Sequence, residues 1–129
     1  MLKFGILNPQ VLSLLARVRH TNALVIADAG FPSWRELETI DLSLVADVPT
    51  VLQVLAAIRP NFHAAEAFMA REFKKSNPAA VQSRFAKAFG DIPVRFEPHL
   101  DFKKRVPAAV GLIRTGDTIP YTNMILVSG

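Results

Sequence analysis

Three histidines, His20, His63 and His99, are the side chains of this 129-residue chain that titrate near neutrality without help from their surroundings. Proton transfer by the protein alone would start with one of them. A metal site would need two of them at short spacing, or one beside a carboxylate, and no such spacing occurs, so no metal is expected. His63 stands among alanines and reads as a structural or surface residue. His20 lies in the polar run Arg19-His20-Thr21-Asn22 at a junction between elements, where a catalytic and a structural role are both open. His99 follows Glu97-Pro98 at the end of an expected strand. A third polar cluster, Pro120-Tyr121-Thr122-Asn123, offers a ring face and an amide that both donates and accepts. That pairing suits a polyhydroxylated ligand; the plain alternative is an edge turn.

The element that must position these groups is the apolar run Ala23 to Ala27. Five residues are too few for a helix and suit a central strand covered on both faces. His20 leads into it and Asp28-Ala29-Gly30 leads out. At roughly 3.3 Å per residue, His20 and Asp28 would stand about 25 Å apart along an extended chain. They can share a site only if the His20 segment folds back or a neighbouring subunit contributes one of them.

Around this strand the chain reads as alternating helices and strands. Asn8-Pro9 is a helix start, and Val11, Leu12, Leu14, Leu15 and Val18 continue at helical spacing. Residues 39–45 alternate apolar and polar, as a half-buried strand does. Asp47 and Pro49 are expected to open a helix that carries Val51, Leu52, Val54, Leu55 and Ile58. In the segment His63 to Phe73, alanines favour helix, while position between two helices favours strand. Asn77-Pro78 repeats the earlier start signal for a helix that stops at Gly90. Strands are expected over Ile92 to Phe96, Val110 to Arg114 and Met124 to Val127, with a short helix from Leu100 to Arg105. This alternation predicts a three-layer α/β/α fold with a largely parallel central sheet, in one domain over residues 1–129.

Composition excludes several classes. With no cysteine there is no disulfide, thiolate or zinc–cysteine chemistry. The chain has neither G-x-G-x-x-G nor G-x-x-x-x-G-K-[ST], and no G-x-S-x-G elbow, which removes dinucleotide, P-loop and ordinary α/β-hydrolase readings. The first nine residues hold one cation and too short an apolar run for a signal peptide, and no run reaches the ~18 apolar residues of a membrane span. A cytoplasmic protein with no membrane partner is expected. The formal net charge of +4 comes with small basic clusters, Lys74-Lys75 and Lys103-Lys104-Arg105, that have no interleaved aromatic platform, so no nucleic-acid partner is expected. An apolar fraction of 50% in a small chain suggests surface buried between subunits.

Together these clusters resemble the D-ribose pyranase and L-fucose mutarotase family. Gly5-Ile6-Leu7-Asn8 is similar to the family's opening. Arg19-His20-Thr21-Asn22 with Val25-Ile26-Ala27-Asp28-Ala29-Gly30-Phe31-Pro32 resembles its H-T-D…ADAG-[LF]-P block. Residues 40–44 and 49–55 resemble its I-D-L-A-L and P-S-F-x-Q-V-L segments. His99-Leu100-Asp101-Phe102-Lys103 is similar to its H-E-x-F-K, and residues 113–126 to its I-R-[ST]-G-E…P-Y-A-N-x-I-L. No piece is specific alone; five in order are.

The resemblance implies a free monosaccharide as substrate, no cofactor, and a ring-shaped homo-oligomer, typically a decamer, with sites between subunits. It implies His20 as proton donor and Asp28 as a sugar ligand, with His99, Lys103, Tyr121, Thr122 and Asn123 as further contacts. His99 with Phe102-Lys103, and the Pro before Tyr121, look more like the ribose branch than the fucose branch. Asn22, Asp117 and Thr122 depart from the family pattern, and Trp34 stands where ribose enzymes carry smaller residues. These departures bear on the sugar more than on the reaction. The expected reaction exchanges cyclic sugar forms through the open-chain aldehyde, with His20 protonating the ring oxygen. His99, Asp28 or a water could take the anomeric proton. A fucose-type mutarotase and a non-catalytic sugar-binding or transport accessory protein are the alternatives.

Overall fold

The computed structural model describes all residues from Met1 to Gly129. In chain order its elements are α1 (Pro9–Arg17), β1 (Ala23–Ala27), β2 (Thr39–Asp41), α2 (Val51–Ile58), β3 (Ala64–Ala70), α3 (Glu72–Ser76), α4 (Ala79–Phe89), β4 (Val94–Glu97), α5 (His99–Arg105), β5 (Gly111–Arg114) and β6 (Met124–Ser128). Short 3-10 turns follow α2 and α5. No helix is long and apolar enough to cross a membrane.

The six strands form one sheet in the order β2-β5-β1-β6-β3-β4. The pairs β2–β5, β5–β1 and β3–β4 are parallel, whereas β6 runs antiparallel to both its neighbours, β1 and β3. The expected sheet is therefore largely parallel, with one reversed strand near its middle. The reversal has a local cause. Only nine residues, without a helix, join β5 to β6, and a parallel return needs a crossover of about a dozen residues or more. The connection instead passes across the end of β1 and enters on its far side. That path carries residues 115–123 over Asp28.

Alternation along the strands divides the core between two faces. Leu24 and Ile26 of β1, Met69 of β3 and Met124 and Leu126 of β6 face Val11, Leu14, Leu55, Ile58, Phe85 and Phe89 from α1, α2 and α4. Val25 and Ala27, Phe68 and Ile125 face Phe102 and Val106 of α5 and its 3-10 extension, together with Leu37. Three layers result, one face covered by several helices and the other by α5 and a loop.

Several elements depart from the expected boundaries. β2 ends at Asp41, whose carboxylate accepts the Ser43 N–H and hydroxyl and so turns the chain before Val45. Thr50, not Asp47, caps α2. Its hydroxyl accepts the Gln53 N–H while the Gln53 side chain accepts the Thr50 N–H, forming a capping box. Asp47 takes positive φ and binds the Thr118 N–H and hydroxyl instead. The His63–Phe73 segment resolves as β3 followed by α3, the strand's second half, Ala67 to Ala70, lying in the buried centre of the sheet.

The two Asn-Pro signals also diverge. Asn8 Oδ1 accepts the Val11 N–H and caps α1. Asn77 makes no cap for α4; its buried amide donates to the carbonyls of Phe73 and Pro120, tying α3 to the loop before β6. The strand expected over Ile92 to Phe96 begins two residues later and ends at Glu97, and α5 begins at His99 itself.

Candidate active site

The C-terminal end of β1 is held residue by residue by the loop that crosses it. The Ala27 carbonyl accepts both the N–H and the hydroxyl of Thr115, each at 2.8 Å. The Asp28 N–H donates to Asn123 Oδ1 at 2.7 Å, and the Ala29 N–H to the Asp117 carbonyl at 2.9 Å. Arg114 donates twice to the Ala29 carbonyl, from Nε at 3.1 Å and Nη2 at 2.8 Å. The backbone that carries Asp28 therefore has little freedom to move.

Asp28 turns its carboxylate back on its own loop, where Oδ1 accepts the Gly30 N–H at 3.0 Å. Burial pushes its carboxyl above the usual range, against hydrogen bonds from Asn123, Gly30 and Phe31 that hold it down; the Asp117 charge adds to the rise. Asp117 is itself buried, its two oxygens accepting the N–H groups of Val51, at the start of α2, and Ile119.

His99, the first residue of α5, supplies the second titratable group. Its ring meets Tyr121 edge-on at 5.1 Å, stacks towards Phe102 at 6.1 Å and stands 6.2 Å from Phe31. Nε2 is buried and has no hydrogen-bond partner. Burial lowers its pKa, Lys103 one turn along the helix lowers it further, and Glu72 and Asp28 oppose both. An unpaired polar atom among aromatic rings is uncommon in a folded protein and marks a position where a ligand or a water can bond.

Tyr121 adopts φ of 59°, a left-handed conformation that a bulky side chain rarely takes. Asn123 is 3% exposed, with Oδ1 spent on Asp28. Thr122 is fully buried and its hydroxyl donates to the Ile119 carbonyl, so it lends the site backbone and not side chain. Phe31 and Trp34 form an aromatic wall, 5.4 Å between centroids, beside Phe102.

Asp28, His99, Lys103, Tyr121 and Asn123 thus gather at one end of the sheet. His20 does not join them within one chain. It lies exposed at the opposite end of β1, in a turn where Thr21 has φ of 68° and donates its N–H to the Ser128 carbonyl. His63 is exposed on the surface, with its carbonyl accepting the Gly129 N–H.

Two groups that shape this site lie outside the expected site residues, Arg114 within the 113–126 stretch and Glu72 within no motif. Arg114 fixes the Ala29 carbonyl, and Glu72, at the start of α3, accepts the His99 N–H with both carboxylate oxygens at 3.1 Å. The signal for Glu72 lay in Pro98: a proline before a helix has no side chain to cap it, so the cap must come from elsewhere.

A family model described as the RbsD / FucU transport protein family matches residues 1–129. The D-ribose pyranase of Geobacillus kaustophilus is 43% identical over 129 residues, which span all of this chain and 94% of that protein. The D-ribose pyranase of Chromobacterium violaceum is 39% identical, covering all of this chain and 98% of its own length. Among solved structures, Bacillus subtilis RbsD complexed with D-ribose superposes with a TM-score of 0.92 at 34% identity, covering 100% of this chain and 98% of that one. The fucose mutarotase of Streptococcus pneumoniae in complex with L-fucose gives 0.81 at 20% identity, over 95% and 92% of the two chains, and shares the fold.

Proposed function

The chain belongs to the RbsD / FucU family, and we propose that it interconverts the pyranose and furanose forms of free D-ribose, without a cofactor. The observation that carries this reading is the buried, unpartnered Nε2 of His99 beside the Asp28 carboxylate and the Tyr121 ring.

Ring opening and ring closure each need two proton movements, and neither needs a redox step. A base takes the proton of the anomeric hydroxyl, the bond between the anomeric carbon and the ring oxygen breaks, and an acid protonates that oxygen as the aldehyde forms. A different hydroxyl then adds to the aldehyde, loses its proton, and the carbonyl oxygen gains one. A positioned acid or base typically contributes about 10²–10⁴-fold. His99, whose imidazolium form is disfavoured by burial and by Lys103, suits the accepting role. His20 serves as the donor. Asp28, Lys103 and Asn123 bind hydroxyls, and Tyr121 presents a ring to the sugar's apolar face.

For His20 to reach this cluster, a second copy must supply it, so the working unit is a homo-oligomer, a ring and a decamer by likeness to the family. Its surface supports this. Leu44, Val45 and Val48 are 78%, 62% and 46% exposed on one loop, and Leu100, beside His99, is 69% exposed. Apolar side chains grouped this way mark contact surface.

Saturation-transfer NMR on D-ribose, with and without the protein, tests the reading. Faster exchange between pyranose and furanose signals, lost in His20→Ala and His99→Ala, is the expected result. Binding without acceleration would make the protein a sugar-binding accessory, and acceleration of L-fucose alone would move it to the mutarotase branch.

A further inference from the structure

Pro98 precedes α5 and can offer no side-chain cap, and the Asp101 and Phe102 N–H groups turn back to the Pro98 carbonyl. The His99 N–H takes neither route. It points at the Glu72 carboxylate, centred between two oxygens at 3.1 Å. Glu72 follows β3 directly, and the Arg71 N–H before it is fastened to the Glu97 carbonyl at 2.8 Å. The far end of the same helix is held by a second carboxylate, Glu97, which accepts from Arg105 at 2.6 and 3.0 Å. The helix that carries His99 and Lys103 is therefore clamped at each end by an acidic side chain from the β3–β4 edge of the sheet.

We propose that Glu72 is a positioning residue for the sugar site: its carboxylate sets where α5 begins and so fixes the His99 ring against Tyr121, while its charge opposes that of Lys103 at the imidazole. This rests on the ribose-exchange reading above, and it assigns Glu72 a part without contact to the sugar. The charged groups acting on His99 are Lys103 from α5, Glu72 from α3 and Asp28 from the end of β1, and the Tyr121 ring from the loop before β6 packs edge-on against it. Lys103 opposes an imidazolium, and Glu72 and Asp28 favour it. Of the two carboxylates, only Glu72 is hydrogen-bonded to the His99 backbone, so its loss would change geometry and charge together.

Two variants separate these effects. Glu72→Gln keeps an acceptor for the His99 N–H and removes the charge; Glu72→Ala removes both. With only three histidines, 13C-labelled His signals can be followed directly through a pH titration of the intact protein. The Gln variant should lower the His99 midpoint and keep kcat for ribose exchange close to wild type at alkaline pH, with the acid limb of the profile moved to lower pH. The Ala variant should lose about 10- to 100-fold in kcat, the scale of a misplaced catalytic group. Restoration of kcat by Gln but not Ala separates positioning from a general loss of stability. An unchanged His99 midpoint in Glu72→Gln, or full kcat in a folded Glu72→Ala, overturns the inference. The midpoint is read without sugar, so absence of exchange in the wild type would strike the ribose reading and leave this measurement intact.

Discussion

The side-chain oxygen of Asn123 accepts the backbone N–H of Asp28 at 2.7 Å, joining positions 95 residues apart. This bond places a residue of the last loop directly on the end of the first strand. It also explains how a carboxylate raised by burial can be tolerated there: the same amide, with the Gly30 N–H, supplies the hydrogen bonds that partly stabilise its ionised form.

Asp28→Asn is expected to stabilise the fold while weakening sugar binding. The folded carboxyl sits above its usual range, so its protonated form favours folding at low pH, and that contribution is lost as pH rises through the raised value. The Asn variant should therefore melt higher than wild type at pH 7 and show no such gain near pH 3, by calorimetry. Affinity for ribose should fall about 10- to 100-fold, the scale of ~1.5–3 kcal/mol for a hydrogen bond to a charged group.

Mixing two inactive variants tests whether sites form between copies. Purified His20→Ala and His99→Ala, dissociated and reassembled together, should recover about a quarter of wild-type exchange if donor and cluster come from different subunits at random. A mixture as inactive as its components would place both groups in one chain.

Lys103→Met should raise the His99 titration midpoint, because the cation that opposes the imidazolium is gone while Glu72 and Asp28 remain. The acid limb of ribose exchange should move to higher pH with it. A fall in the midpoint would mean that burial by Met outweighs the lost charge.

Gly116→Ala probes the seat of the exposed loop. A Cβ there would press on the carbonyls of Val45 and Val48, which are backbone and cannot swing aside. The Asp47 N–H to Gly116 carbonyl bond and the Gly116 N–H to Pro49 carbonyl bond would both be disturbed. A loss of about 1–3 kcal/mol, typical of overpacking, is expected in the urea midpoint, with a matching loss of oligomer by light scattering.

Much of the local structure could be read in advance because it is written in short-range terms. The Ala23–Ala27 run, the Asn8-Pro9 start and the Gly90 stop depend on neighbours within one turn or one strand, and each lies where its signal put it. Asn77-Pro78 shows the limit. The dipeptide is the same as Asn8-Pro9, yet its amide is shared between the Phe73 carbonyl one turn back and the Pro120 carbonyl 43 residues away, and no local pattern specifies the second.

The class of fold, the family and the side chains available for proton transfer are all legible in the linear chain. Those follow from residue types and spacings, which encode faces and caps directly. That β6 enters reversed beside β1, that Asp28, His99, Tyr121 and Asn123 meet there while His20 stays at the far end, and that the Glu72 carboxylate accepts the His99 N–H all arise from tertiary contacts. Strand alternation says which face a residue occupies but not which strand lies next to it. Burial, which moves the Asp28 and His99 pKa values in opposite directions, arises from contacts that exist only once the sheet is assembled.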